Sequence, residues 1–230
     1  MAEHGTALVE QVIAAVEADP GAELLQFSSY DFASGPWVAE PRAPMPAELL
    51  AEARFPSGRP LPPSLRRWLA FDTGMLRKYG WLDAAYRFTP LTFGEFCVRR
   101  YGDEWGGYFE RAPMAERFTE CFLLPGGADS CRMLVTDSAD EHGEYPVLAL
   151  DVDDVPCATL MYPGLDVFLA QNAGIVEMPP YRGYAALAKH PDFAGRMSTH
   201  AEQCLGGSLE EDCFGARSED YFRDEIDQEK

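Results

Sequence analysis

The sequence predicts an α+β fold, a mostly antiparallel or mixed sheet flanked by helices. Three observations predict it. Short apolar segments between residues 118 and 161 are punctuated by glycine and acidic turns, the pattern of strands joined by tight loops. Directly after the last of them, Leu165, Phe168, Leu169 and Asn172 have the spacing of a helix lying on a sheet. Near the start, Leu8, Val9, Val12, Ile13 and Val16 recur at three and four residues and make one apolar helical face.

The first helix runs from Thr6, a capping residue, to Asp19, where Asp19-Pro20-Gly21 stops it. Prolines 36, 41, 44, 46, 56, 60, 62 and 63 then forbid a long helix or a central strand. A short helix fits between Pro46 and Phe55, with Leu49, Leu50 and Ala53 on one face. The segment Leu61 to Gly74 reads as a second helix. Proline is tolerated in its first turn, Leu65, Trp68 and Leu69 face inward, and Arg66 and Arg67 face out. Gly74 fits a terminating position with positive φ. From Phe88 to Phe109 aromatic residues dominate and are expected in the core. Leu91-Thr92-Phe93 opens a short strand, Glu95 to Tyr101 forms a helical turn or two, and Gly102, Gly106 and Gly107 break what forms.

Strands are expected at Phe118–Leu124, Cys131–Val135, Val147–Leu150 and Cys157–Met161. The third is the most apolar and belongs in the middle of the sheet; the fourth is an edge. A helix from Pro163 to Ala173 ends at Gly174, and further helices are read at Tyr184–Lys189 and Asp220–Gln228. The predicted core contains Leu65, Trp68, Leu69, Val147, Leu148, Leu150, Leu165, Phe168 and Leu169. Residues 1–178 form the α/β domain in this reading, and 179–230 an acidic helical extension, packed on that domain or appended to it.

Charge narrows the function. The 230 residues hold 38 acids against 19 bases, a net charge of −19. Such a field repels phosphate backbones, which argues against nucleic-acid binding, and draws in a basic partner. No window is long and apolar enough for a membrane span. The six cysteines include no CxxC pair, and the start lacks a basic region followed by an apolar stretch. Free thiols in a cytoplasmic protein are therefore expected.

Catalytic and metal signatures are missing from the sequence. Asp151, Asp153 and Asp154 lack the central glycine and the distant glutamate of a calcium loop and read as an acid-capped turn. Four histidines include no HExxH, and there is no GxSxG elbow. Gly126-Gly127-Ala128-Asp129-Ser130 has no following lysine and reads as a hairpin loop. No cofactor is implied, and a non-catalytic protein is expected.

Two segments carry a family resemblance. Leu61-Pro62-Pro63-Ser64-Leu65-Arg66-Arg67-Trp68-Leu69, with Asp72 and Gly74, looks like the leucine-proline, helix and glycine element of the SMI1/KNR4 family, in the SUKH superfamily. Cys121 to Ala173 resembles that family's strand meander and following helix, with Phe168 and Leu169 as its apolar pair. The resemblance implies an α/β module. It also implies an immunity protein that binds a cognate toxin, commonly a basic nuclease, and occludes it. On charge and aromatic content the expected partner-binding residues are Asp137, Asp140, Glu141, Glu144, Tyr145, Asp151, Asp153, Asp154 and Tyr162. A regulatory or scaffold module that binds another cellular protein is the alternative, and an enzyme with a deep polar pocket is the third reading.

Overall fold

The computed structural model describes residues 3–19, 38, 41–110, 112–125, 130–151, 157–177 and 186–212. Five strands form one antiparallel meander in chain order: β1 (Cys121–Leu124), β2 (Ser130–Val135), β3 (Val147–Asp151), β4 (Cys157–Tyr162) and β5 (Glu210–Asp212). The α+β class therefore holds. β3 is the middle strand, as its unbroken apolar run requires: Val147, Leu148, Ala149 and Leu150 are all buried, which needs cover on both faces. β4 is not an edge, because β5 pairs with it from Cys157 to Thr159. A register shift between Val147 and Leu148 inserts one extra residue into β4. Cys121 stands opposite Val135 and Cys131 opposite Leu150, so these two thiols do not face each other. Cys121, Cys131 and Cys204 are free thiols.

The helices obey the apolar pattern more closely than the glycine signals. α1 (Gly5–Ala18) buries the five predicted residues and packs on α3 and α7. α2 (Ala47–Glu52) fills the gap between prolines. In α3 (Pro63–Phe71), Leu65, Trp68 and Leu69 are inaccessible to solvent. Gly74 does not end this helix with positive φ. The chain turns extended at Asp72, whose carboxylate accepts the N–H groups of Ala43 at 2.8 Å and Gly74 at 2.9 Å. Gly74 instead opens α4 (Gly74–Lys78). α7 (Leu165–Asn172) is buried on every side, its polar residues Asp166, Gln171 and Asn172 included, and these find bonds inside the protein.

Residues 93–110 exceed the predicted helical turn. α5 (Phe93–Glu110) begins with a capping box that the sequence reading passed over: Thr92 Oγ1 accepts the Glu95 N–H, and the Glu95 carboxylate accepts the Thr92 N–H at 2.9 Å. Gly102, at φ 79°, is non-helical and breaks the run into two helical pieces, as the glycine signal predicts. The second piece folds back so closely that a Cβ on Gly106 would lie 2.5 Å from Val98 Cα. Leu91 makes only an isolated bridge to Cys121, so the strand expected at 91–93 is reduced to one residue pair. Trp81, Phe93, Phe96 and Phe109 are buried, in line with the core reading. Thr92→Ala removes the cap and is expected to cost about 1 kcal/mol in urea unfolding.

α6 (Pro113–Arg117) leads into the sheet. Residues 186–212 pack on the same body. A 3-10 turn (Ala186–Lys189) and α8 (Ala194–Cys204) pack against β4, with Phe193 and Met197 fully buried. Residues 186–212 thus belong to the same body as the sheet and contribute its fifth strand. Within the described residues, the helix read at Tyr184–Lys189 is that single 3-10 turn. The helix read at Asp220–Gln228 lies outside them. No helix among the described residues is long and apolar enough to cross a membrane.

Candidate functional site

The acidic loop before β3 turns inward. Asp140 Oδ1 accepts the N–H groups of His142 at 2.9 Å and Glu144 at 3.0 Å, which closes a tight turn. Its other oxygen receives Arg196 Nε at 2.5 Å. Four of the residues expected at a partner interface are consequently buried: Asp140, Glu144, Tyr145 and Tyr162. Tyr145 donates its hydroxyl to Pro60 O at 3.3 Å, and Tyr162 donates to Gln171 Oε1 at 3.0 Å. Those four are corrected here from surface anchors to interior groups. Their charge and ring area are spent on the protein's own chain.

Arg196 is the centre of the arrangement. It lies on the inward face of α8, in step with Phe193, Met197 and His200. Nη1 and Nη2 donate to the Asp166 carboxylate at 2.8 and 3.1 Å, and Nη2 also reaches Pro163 O at 3.2 Å. Asp166 accepts a further bond from the Gly5 N–H at 2.8 Å, which ties the first turn of α1 to α7. His200 Nε2 lies 3.0 Å from Pro163 O and 3.6 Å from Asp140 Oδ2. His4 stacks on His142 with ring centroids 4.2 Å apart, and its Nδ1 sits 3.2 Å from Arg196 Nη1. Alongside, Glu144 accepts the Ser64 N–H at 2.9 Å and the Ser64 hydroxyl, so the first turn of α3 is anchored too.

Two buried carboxylates, Asp140 and Asp166, thus share one buried guanidinium, with the Glu144 carboxyl beside them on Ser64. Burial alone would raise Asp140, but bonds from His200, Arg196 and the Glu144 N–H hold it down to about 2. Glu144 goes the other way. Burial, together with the negative charge of Asp166, raises it well above the ordinary carboxyl value. Burial opposes the charge on Arg196, yet Asp166 and Asp140 overcome that and raise it. His4 is lowered by burial and by the positive field of Arg196. Every carboxylate oxygen of Asp140, Asp166 and Glu144 accepts a bond from the protein. The arrangement joins α1, α3, α7, α8 and the β2–β3 loop at one point.

Among the remaining expected residues, Glu141 is exposed and Asp151 half-buried at the end of β3. Asp137 is half-buried and accepts Arg117 Nε at 2.9 Å; Arg117 also holds the carbonyls of Cys204 and Gln203 at the end of α8. Asp153 and Asp154 lie outside the described residues. Among the described residues, no group of three His, Cys, Asp or Glu is placed to hold a metal ion.

Sequence reasoning passed over Ser64, Asp166 and Arg196 as members of a site. Signals pointed to two of them, Asp166 and Arg196. Asp166 is the lone acid in the apolar run Leu165 to Ala170, and a charge inside an all-apolar helix requires a buried partner. Arg196 keeps helical step with Phe193, Met197 and His200.

No protein-family model matches the chain, and no curated protein matches it. A solved structure of an uncharacterised protein from Salmonella enterica subsp. enterica serovar typhimurium is similar to it, with a TM-score of 0.55 and 14% identity over 94% of this chain and 99% of that one. At that identity, the likeness shows a shared fold.

Proposed function

We propose that this chain is a non-catalytic protein-binding module of SMI1/KNR4 type, an immunity protein that occludes a cognate basic toxin. The observation that carries the reading is charge. The described interior takes up only five acids (Asp72, Glu120, Asp140, Glu144 and Asp166) and two arginines (Arg132 and Arg196). Most of the net −19 therefore lies outside that core. A basic nuclease evolved to hold phosphate meets a similar field on an acidic inhibitor. The segments behind the resemblance occupy structural positions: Leu65, Trp68 and Leu69 in α3, and Phe168 and Leu169 in α7, are all core. The working surface in this reading holds Glu141 and Asp151, which are open to solvent in whole or in part. Free thiols and the lack of a spanning helix among the described residues fit the cytoplasm, where a toxin would have to be met.

Co-purification with the product of the adjacent gene tests the reading, with association rates measured against salt. Steered encounter predicts a rate that falls steeply as ionic strength rises. Glu141→Lys with Asp151→Lys is expected to slow association about tenfold at low salt and leave dissociation nearly unchanged. A rate indifferent to salt would remove the charge argument. A partner unrelated to toxins would favour a regulatory module.

A further inference from the structure

The first turn of α1 is held from outside the helix. His4, the residue before it, is extended at φ -135° and ψ 161°, and its side chain makes no capping bond. Gly5 takes φ 54°, where L side chains are rarely found, and its N–H meets Asp166 Oδ2 at 2.8 Å. A Cβ on Gly5 would stand 3.7 Å from Pro63 Cβ and 3.8 Å from Glu144 Oε1, so this turn lies directly on α3 and the β2–β3 loop. Farther along, the apolar face from Leu8 to Val16 keeps the rest of the helix in place. The seating of the first turn therefore rests on polar contacts at residues 4 and 5.

Those contacts admit one protonation state of His4. A guanidinium has donors, no acceptor and a permanent charge. At 3.2 Å from Arg196 Nη1, His4 Nδ1 must be the acceptor, and the ring is neutral with its proton on Nε2. A proton added to Nδ1 would replace that bond with two opposed N–H groups and two opposed charges. The ring is kept in this orientation by its stack on His142, with centroids 4.2 Å apart and planes 20° from parallel, and by the edge of Phe193 at 5.6 Å.

Titratable groups face His4 from every neighbouring element. α8 supplies Arg196, with His200 beyond it at 3.6 Å from Asp140. α7 supplies Asp166. The β2–β3 loop supplies Asp140, Glu144 and His142, and Glu141 lies 4.0 Å from the His142 ring. His190 packs on Phe193 with centroids 4.6 Å apart, and Glu3 is bonded to Gln11 at 2.7 Å. Asp166 and Asp140 favour a proton on His4, but both are already committed to Arg196. Burial, then the fields of Arg196 and His142, outweigh them and lower the proton affinity of His4.

We infer that His4, stacked on His142 and bonded to Arg196, is an acid-sensitive latch: it holds the first turn of α1 on α7 and α8 while neutral and releases it on taking up a proton. Linkage sets the sense. The docked form refuses a proton that a free His4, with its ordinary value of 6.5, accepts. The latch is therefore closed above about 6.5 and opens as pH falls below that value. What opens is one helical turn, and it frees the Asp166 oxygen that Gly5 held. This goes beyond the toxin-binding reading and does not depend on it.

Amide hydrogen exchange of the full chain, corrected for intrinsic rates, tests the inference at about pH 7.5 and about pH 5. The Gly5 amide is expected to lose protection about tenfold at the lower pH, because the open form binds a proton there and the closed form does not. The Ala149 amide, in the middle strand, should keep its protection. His4→Asn puts an oxygen close to the place of Nδ1 and takes up no proton. Its Gly5 protection should be equal at the two pH values, though lower throughout for want of the stack. Should that variant fail to fold, the ring signals of the unaltered chain decide: His4 titrating below 6.5, in step with the loss at Gly5, is the expected result. Four outcomes overturn the latch: unchanged Gly5 protection in the unaltered chain, the same loss in His4→Asn, an equal loss at Ala149, or a His4 midpoint at or above 6.5.

Discussion

Arg196→Met is expected to lower the unfolding free energy by about 3–5 kcal/mol at neutral pH, measured by urea denaturation. The side chain is 2% exposed and its two carboxylate partners are fully enclosed. Removing the cation leaves Asp140 and Asp166 buried without counter-charge, and that penalty is the source of the loss. Arg196→Lys keeps the charge but not the two-pronged grip on Asp166, so its deficit should be intermediate. The pH dependence separates this cause from lost packing. Asp140 is held down to about 2, so its contribution is present above its unfolded value near 3.8 and is lost as pH falls through about 2. Over that span the contribution is about 2 kcal/mol. In the Met variant this acid-side slope should flatten, and the deficit should shrink as the orphaned carboxyls take up protons. Glu144 acts in the opposite sense. Because it is raised, the folded state gains protons relative to the unfolded one, and stability falls as pH rises through its shifted value. A deficit that is constant with pH would show that Arg196 matters only as volume.

Gly164→Ala is the second large effect, expected at about 1–3 kcal/mol. The backbone there is extended, at φ 179°, which any residue adopts. Space is the constraint. A Cβ would lie 2.4 Å from Asp166 Oδ1, 2.7 Å from Arg196 Nη2 and 2.7 Å from Glu144 Cβ. These atoms are fixed by their mutual bonds and cannot swing aside without breaking them. Gly195→Ala is the matched control, since a Cβ at that position meets nothing within 4 Å. It should be neutral or stabilise by up to about 1 kcal/mol through helix propensity. Equal melting temperatures for the two variants would mean that the cluster relaxes freely.

Apolar periodicity carried most of the fold into view. The stripe from Leu8 to Val16, the inward face of α3 and the unbroken run of β3 each state locally which side is buried, and local spacing suffices to read them. The polar centre was less legible because its members come from residues 4 to 200 and no spacing relates them. Asp140 and Glu144 looked like surface acids, since a turn rich in Asp, Glu and Gly is usually solvated. What reverses that is, for Asp140, an arginine more than fifty residues later and, for Glu144, a serine 80 residues earlier. Glycine misled at Gly74, which opens α4 instead of ending α3. Gly102 interrupts the helix as expected, but the return of the second piece along the first, with Gly106 giving it room, shows only in the tertiary contact.

The bond from Gly5 to Asp166 spans 161 positions, and the contact from His4 to Arg196 spans 192. During synthesis, α1 leaves the ribosome first yet finds its anchoring carboxylate only much later, and that carboxylate lacks its cation until α8 has emerged. Translation at about 5–20 residues per second makes that interval roughly ten seconds or more. Over that time the apolar face of α1 has no finished surface to dock on, so a nascent chain stalled before residue 196 should recruit holdase chaperones and resist compaction.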